Sequence, residues 1–354
     1  HRLLHFGLAD GIGSYARQLW KALQREYRNQ RALKTLLHDF QPDIVYIWNT
    51  KHVCISLVFL VQRAGLPIVF HFGDTWFAIW KRDFWYRFWN NQNGRFLTRW
   101  LKYLTQPFVN WWLLVPTGSI KFRNSQFVST FLHGKFNELL PETSHQVVIN
   151  WGINLADFPY CPSETTDICR LLFIGRIAAQ KGLHVLVNAL RLLKERPDAP
   201  RVELTVVGER TEPFATEIDT LIAQHQLPVK FIGTVTRSEI PLTYAQHDVF
   251  MFSAIGDEAY GLVLLEAQAS GLVIIGTGAG GSADILQDEV NALIYEAENA
   301  ADCARVIFRV CRDFELRERL RKNGRQNVES RFQLANTIDR VEADLSAVLQ
   351  DSSS

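Results

Sequence analysis

The sequence predicts an α/β protein of two domains, each built on a parallel sheet with crossover helices. Short apolar runs alternate with helical patterns in both halves, which is how such sheets are written in sequence. The 354 residues exceed what one hydrophobic core supports, since single cores stop growing near about 250–300 residues. The charge is also divided. Residues 1–150 carry 18 Lys and Arg against 8 Asp and Glu, a net of +10, and the remainder carries 20 against 29, a net of −9. Halves of opposite sign either meet different partners or attract each other.

The near balance of 38 basic and 37 acidic residues excludes a whole-chain polyanion binder. A content of 21% charged and 12% aromatic residues excludes a disordered chain. The five cysteines, Cys54, Cys161, Cys169, Cys303 and Cys311, contain no C-x-x-C pair. Neither a disulfide framework nor a zinc ribbon is expected, and a reducing compartment fits. The longest apolar run, Val53–Val61, has nine residues, against the ~18–20 that span a bilayer. No charged-then-apolar leader opens the sequence. The expected location is cytoplasmic.

In the first half, strands are expected at Arg2–Phe6, Ile44–Trp48, Ile68–Phe72 and Gln126–Val128. A helix is expected over Ser14–Glu26, with Tyr15, Leu19, Ala22 and Leu23 on its apolar face. A doubly wound domain would carry one or two more strands before Ile44, and the sequence shows none there. Strands follow in the second half at Leu171–Ile174, Glu203–Val207, Val229–Ile232, Val249–Phe252 and Val273–Ile275. Helices at Leu183–Lys194, Glu217–His225 and Val263–Ala269 lie between them. Residues 155–169, with Pro159, Pro162 and a Ser-Glu-Thr-Thr run, read as a linker, and the chain reads as helical beyond residue 300 or so.

The chemistry gathers in three loops of the second half. Glu258-Ala-Tyr-Gly-Leu-Val-Leu-Leu-Glu266 turns at Gly261 into a helix. The first amides of that helix, near Tyr260, Gly261, Leu262 and Val263, lack intrahelical partners and face any anion placed there. Glu258 lies on the loop and Glu266 about two turns along the helix. A nucleotide-sugar needs this layout: amides for the diphosphate and carboxylates for sugar and ribose hydroxyls. Alone, the same pattern also fits an acidic residue at a helix N-terminus plus a solvated helix glutamate. Phe173-Ile-Gly175-Arg176 ends a strand and Gln180-Lys181-Gly182 opens the next helix, so Arg176 and Lys181 can converge on phosphate. The third loop, Gly276-Thr-Gly-Ala-Gly-Gly281, lets backbone approach a ligand closely. It also fits G-x-G-x-x-G, but the helix after it, Ser282–Gln287, falls short of the ~10–12 residues of a crossover, which argues against a nicotinamide or flavin.

Together these pieces resemble the family 4 retaining glycosyltransferases. The likeness runs through FIGRIAAQKGLHVLVNAL (173–190), VELTVVGE (202–209), VKFIGTVTRSEI (229–240), SAIGDEAYGLVLLEAQASG (253–271) and VIIGTGAGGSADIL (273–286). RNSQFVSTFL (123–132) and VVINWGINLADF (147–158) precede them, and residues 1–119 match more loosely through Gly11-Ile-Gly13, Pro42-Asp-Ile-Val-Tyr and Ile68-Val-Phe-His-Phe-Gly-Asp74. The resemblance implies an α/β GT-B fold, two Rossmann-like domains whose parallel sheets face across a deep cleft. It implies an acceptor-side domain over residues 1–160, a nucleotide-sugar domain over 161–330, and a C-terminal helix over 331–354 packing back on the first domain. Glu266 is expected on the ribose hydroxyls, Glu258 facing the transferred sugar, and Arg176 and Lys181 on the diphosphate, with Gly175 in their turn. Gly233 and Thr234 are expected at the nucleobase, and Gly11 and Gly13 closing on the phosphates. The family's catalytic histidine slot is Gly73 here, which leaves His71 and Asp74 as the N-terminal candidates.

The activity implied is a metal-independent, retaining transfer of a hexose, first of all glucose from UDP-glucose. The acceptor implied is a glycan or lipid-linked glycan in polysaccharide biosynthesis. No Asp-x-Asp pair is present to hold a metal, and no further cofactor is expected. The alternatives are a nucleotide-sugar epimerase of the same fold and a non-catalytic membrane-associated subunit. Seven of the ten tryptophans fall within Trp76–Trp112, beside six basic residues and Asp83 alone. That window suits peripheral contact with an anionic membrane, such as the inner face of a plasma membrane, or stacking on a glycan, or an aromatic core. No nucleic-acid recognition module is visible.

Overall fold

The computed structural model describes residues 15–50, 53–90, 96–140, 145–161 and 167–353. They fall into two units, the first drawn from residues 1–128, 132–149 and 341–354, the second from 129–131 and 150–340.

The first part of the chain runs α1 (Tyr15–Phe40), β1 (Val45–Ile47), α2 (Ser56–Arg63), β2 (Ile68–Phe72), α3 (Trp76–Ile79), α4 (Phe84–Asn90), α5 (Phe96–Trp112), β3 (Asn124–Phe127), α6 (Thr130–Leu139) and β4 (His145–Val148). The strands form one parallel sheet in the order β1-β2-β3-β4. The helix expected to end at Glu26 runs on to Phe40. Residues 27–36 contain neither Gly nor Pro to stop it, and two of their polar members, Asn29 and Gln30, are buried. Gln30 Nε2 donates to the Leu114 carbonyl at 3.0 Å, and the Leu114 N–H donates back to Gln30 Oε1 at 2.6 Å. The strand expected at Arg2–Phe6 lies outside the described residues. The core of this unit is aromatic: the Phe72 ring lies 5.0–5.3 Å from those of Trp76, Phe77, Phe127 and Phe136.

The second part runs β5 (Ile168–Ile174), α7 (Leu183–Lys194), β6 (Arg201–Val207), α8 (Phe214–His225), β7 (Val229–Gly233), α9 (Ile240–Ala245), β8 (Val249–Phe252), α10 (Leu262–Ser270), β9 (Val273–Gly276), β10 (Leu293–Ile294), α11 (Ala300–Arg312), α12 (Phe314–Arg331) and α13 (Leu334–Ser353). Its six strands are parallel, in the order β10-β9-β8-β5-β6-β7. Val-Phe-Met-Phe of β8 and Val-Ile-Ile-Gly of β9 are buried throughout, as strands covered on both faces must be. Asp248, at the start of β8, accepts from Arg170 Nε at 3.0 Å and pairs with Arg321 of α12 at 3.5 Å, fixing that helix to the central strands β5 and β8. Among the described residues no helix is long and apolar enough to cross a membrane.

Candidate active site

In a doubly wound sheet, ligands bind beyond the carboxyl ends of the strands where the strand order reverses. Here that point lies between β5 and β8, and the segments leaving these strands carry Arg176, Lys181 and Glu258. Their backbones are locked together. Gly182 has φ +70°, and a Cβ there would collide with the Ser253 carbonyl, so only glycine fits. The Ser253 hydroxyl donates to the Lys181 carbonyl at 2.9 Å, and the Ile255 N–H to the Gln180 carbonyl at 3.1 Å. On this frame Lys181 Nζ donates to Glu258 Oε2 at 2.5 Å. Both side chains are partly exposed, so a ligand can reach the pair. Gly175 is held by its N–H on the Val207 carbonyl at 3.0 Å. Arg176 is exposed beside it, its guanidinium forming no ion pair among the described residues.

α10 starts at Gly261, whose φ of +102° bends the chain into the helix. The Leu264 N–H returns to the Gly261 carbonyl at 2.9 Å, and the amides of Leu262 and Val263 precede the first full helical bond. Tyr260 is buried, its hydroxyl donating to the Trp151 carbonyl at 2.8 Å, so only its backbone can serve a ligand. From Leu264 to Ser270 every residue of α10 is buried, Glu266 among them. Arg237 Nη1 donates to its Oε1 at 2.5 Å, and the Tyr244 hydroxyl donates to its Oε2 at 3.1 Å. Burial, reinforced by the Glu266 charge, pushes the Tyr244 phenol well above its ordinary range and keeps it a donor.

Gly233 and Thr234 close β7, where the Gly233 carbonyl accepts the Gly208 N–H at 2.8 Å. Both are exposed. The glycine loop after β9 departs from expectation. A Cβ on Gly280 would meet the Glu258 carbonyl and one on Gly281 the Ala259 carbonyl. The Gly281 N–H donates to the Glu258 carbonyl at 2.8 Å. These two glycines therefore let one loop lie against the backbone that carries Glu258, instead of opening backbone to a ligand. The short helix expected after them is a 3-10 turn over Gly280–Asp284.

In the first unit, His71 is buried on β2, stacked on Trp48 with ring centroids 4.5 Å apart. Its Nδ1 lies 3.1 Å from the Tyr46 hydroxyl, which donates to Gln126 Oε1 at 2.5 Å. Burial holds the imidazole down to about 4, so it is neutral at pH 7. Asp74, beyond the strand end, accepts the Trp76 N–H at 2.8 Å and Asn49 Nδ2 at 3.1 Å. It is half-buried. Gly11 and Gly13 lie outside the described residues.

Residues 166–327 match the family model for glycosyl transferases group 1. The second unit is a group 1 glycosyltransferase domain. Spore coat protein SA of Bacillus subtilis is 33% identical over 170 residues, which are 46% of this chain and 44% of that protein. The match spans under half the length of several of the curated relatives, that protein among them. A glycosyltransferase from Rickettsia africae shares the fold with a TM-score of 0.70 at 17% identity, over 96% of this chain and 88% of that one. Anabaena HepE, solved with UDP and glucose, gives 0.64 at 16% identity over 90% and 82%. The fold is GT-B, with two parallel-sheet α/β units.

Two residues of the group 1 domain escaped the reading of the sequence, Arg237 and Tyr244. Arg237 lies 29 residues from the glutamate it pairs with, and no local pattern links them. The turn that presents it is nonetheless written in Thr236-Arg-Ser-Glu239. The Thr236 N–H and hydroxyl both donate to Glu239 Oε2, at 2.8 and 2.7 Å, the Thr-x-x-Glu signature found ahead of a helix.

Proposed function

We propose that this chain is a metal-independent, retaining glycosyltransferase that moves a hexose from a UDP-hexose, UDP-glucose first, to a glycan or lipid-linked glycan in polysaccharide biosynthesis. The observation that carries the reading is the Lys181–Glu258 pair at the point of strand reversal in a group 1 domain, with the exposed Arg176 on the same β5–α7 segment as Lys181. The glucose and UDP in the Anabaena structure support the choice of donor.

The chemistry follows from charge. As the bond to the anomeric carbon breaks, the leaving diphosphate gains negative charge. Arg176, Lys181 and the first amides of α10 stabilise that charge without a metal. Lys181 then divides its three protons between Glu258 and the diphosphate, and Glu258 turns its free oxygen to a sugar hydroxyl. Ribose hydroxyls take the place of Arg237 on Glu266. Arg237 is mostly exposed, so its release costs little more than a surface ion pair, about 1 kcal/mol or less. Of the two N-terminal candidates, Asp74 is the one open to a substrate. His71 is enclosed and neutral, and its part is to hold β2 through Tyr46 and Gln126.

A melting screen against UDP-, GDP-, ADP- and TDP-sugars tests the donor. Ligand at about 100 times its dissociation constant adds about 2.7 kcal/mol, and UDP-glucose is expected to give the largest rise. Glu258→Gln is expected to abolish transfer while keeping the shift with UDP. No shift with any nucleotide-sugar would overturn the reading. Transfer is expected to persist in EDTA, and its loss there with recovery on Mg²⁺ or Mn²⁺ would overturn the roles given to Arg176 and Lys181.

A further inference from the structure

Among its described side chains, helix α5 is largely built inside out. A surface helix normally turns its apolar stripe to the core and its polar stripe to water. In α5 the polar side chains of Lys102, Gln106 and Asn110 are half-buried, and two of them are anchored inward. Lys102 Nζ donates to the Phe88 carbonyl at 2.5 Å, and Asn110 Oδ1 accepts the Val115 N–H at 3.1 Å. The outward face carries Trp100, Tyr103, Leu104, Phe108 and Trp111, of which Tyr103, Phe108 and Trp111 are 75%, 77% and 90% exposed. Their spacing puts them on one stripe about 17 Å long. An apolar patch of this kind marks a place where something else binds.

Charge selects what binds. From Phe84 to Asn137 the sequence holds no Asp or Glu and, besides the inward-anchored Lys102, six basic residues. A second copy would bring the same positive charge against this one, whereas an anionic surface attracts it. Trp and Tyr are favoured at the headgroup level of a bilayer, and Lys and Arg near an acidic leaflet add about 1 kcal/mol each. We propose that α5 lies in the plane of an anionic lipid bilayer, its aromatic stripe seated among the acyl chains nearest the headgroups. The inference is independent of the donor chemistry, since none of these residues belongs to the group 1 domain.

Cosedimentation of the 354-residue chain with lipid vesicles is the test. Vesicles of phosphatidylcholine with about 30% phosphatidylglycerol are expected to carry it down at low salt, and pure phosphatidylcholine far less. Binding is expected to fade in about 1 M salt, where screening shortens to about 3 Å. Phe108→Glu with Trp111→Glu is expected to weaken vesicle binding by about tenfold or more, with melting temperature and the response to UDP unchanged. The proposal fails if the parent chain does not sediment with anionic vesicles at low salt, or if the double variant binds as well as the parent. It fails equally if the parent is a dimer in sedimentation velocity and the double variant a monomer, because a second copy then covers the stripe.

Discussion

Glu266 and Glu26 are both buried on helices, and their surroundings are opposite. Glu266 on α10 is met by the guanidinium of Arg237 and the hydroxyl of Tyr244. Among the described residues Glu26 on α1 is met by neutral groups, the Ser56 hydroxyl, the Gln30 amide and the Cys54 thiol. Burial, with a smaller push from Asp83, raises its carboxyl to about 7, and the hydrogen bonds from Ser56, Gln30 and Cys54 offset only part of this. Burial by itself thus makes a carboxylic acid that holds its proton near neutrality. A cation at the rim instead gives the buried Glu266 a charged partner that a ligand can displace.

The largest effect expected from this contrast is on pH dependence. An unfolded glutamate ionises around 4.5 and Glu26 in the folded chain around 7, so folding holds the proton more tightly between those values. Its contribution is fully present below 4.5 and is lost as pH rises through 7. The loss is about 3 kcal/mol. Glu26→Gln is expected to remove it, so urea denaturation should show the variant gaining on the parent between pH 5 and 8. Comparing variant with parent cancels the opposite contribution of His71, whose stability is lost as pH falls from 6.5 towards 4. Parallel pH profiles for the two proteins would end the contrast.

A smaller effect is expected at the other glutamate. Glu266→Ala should weaken uridine and UDP alike by about 1.5–3 kcal/mol, the range of bonds to a charged group. Calorimetric affinities unchanged by the substitution would remove Glu266 from the site. Arg176→Ala and Lys181→Ala should weaken UDP by a similar amount each and uridine hardly at all, with effects that do not add if they share the diphosphate. Smallest of all, Arg237→Ala should change nucleotide affinity by less than about 1 kcal/mol, because the ion pair it breaks is exposed on the arginine side. A loss as large as that of Glu266→Ala would make Arg237 a ligand contact in its own right.

The group 1 domain was the more legible part. β8 and β9 are uninterrupted apolar runs because parallel strands are buried on both faces, and expectation and structure agree there to within one residue. β10 has only two residues and leaves no pattern to read. The aromatic window of the first unit resisted a single reading because it serves two ends. Trp76, Trp80 and Trp85 are buried in the core, while Trp100 and Trp111 face out from α5. An aromatic stripe has the same period whichever way the helix is turned. What turns it is the inward bonding of Asn110 to Val115 and of Lys102 to Phe88, the latter 14 residues away on another helix. For the same reason Lys181 and Glu258 could be named singly but not as a pair: 77 residues separate them, and the strand order joins them.

Asp344 of α13 also sets an order of events during synthesis. Its two oxygens accept Gln126 Nε2 at 2.7 Å and lie 2.7 Å from His145 Nε2, on the neighbouring strands β3 and β4. The first unit thus has its sheet by residue 149 but lacks this clasp until translation has passed through the whole second unit, residues 150–340. At about 5–20 residues per second that interval lasts roughly 10–40 s. Throughout it, the nascent sheet carries β4 at its edge without this fastening.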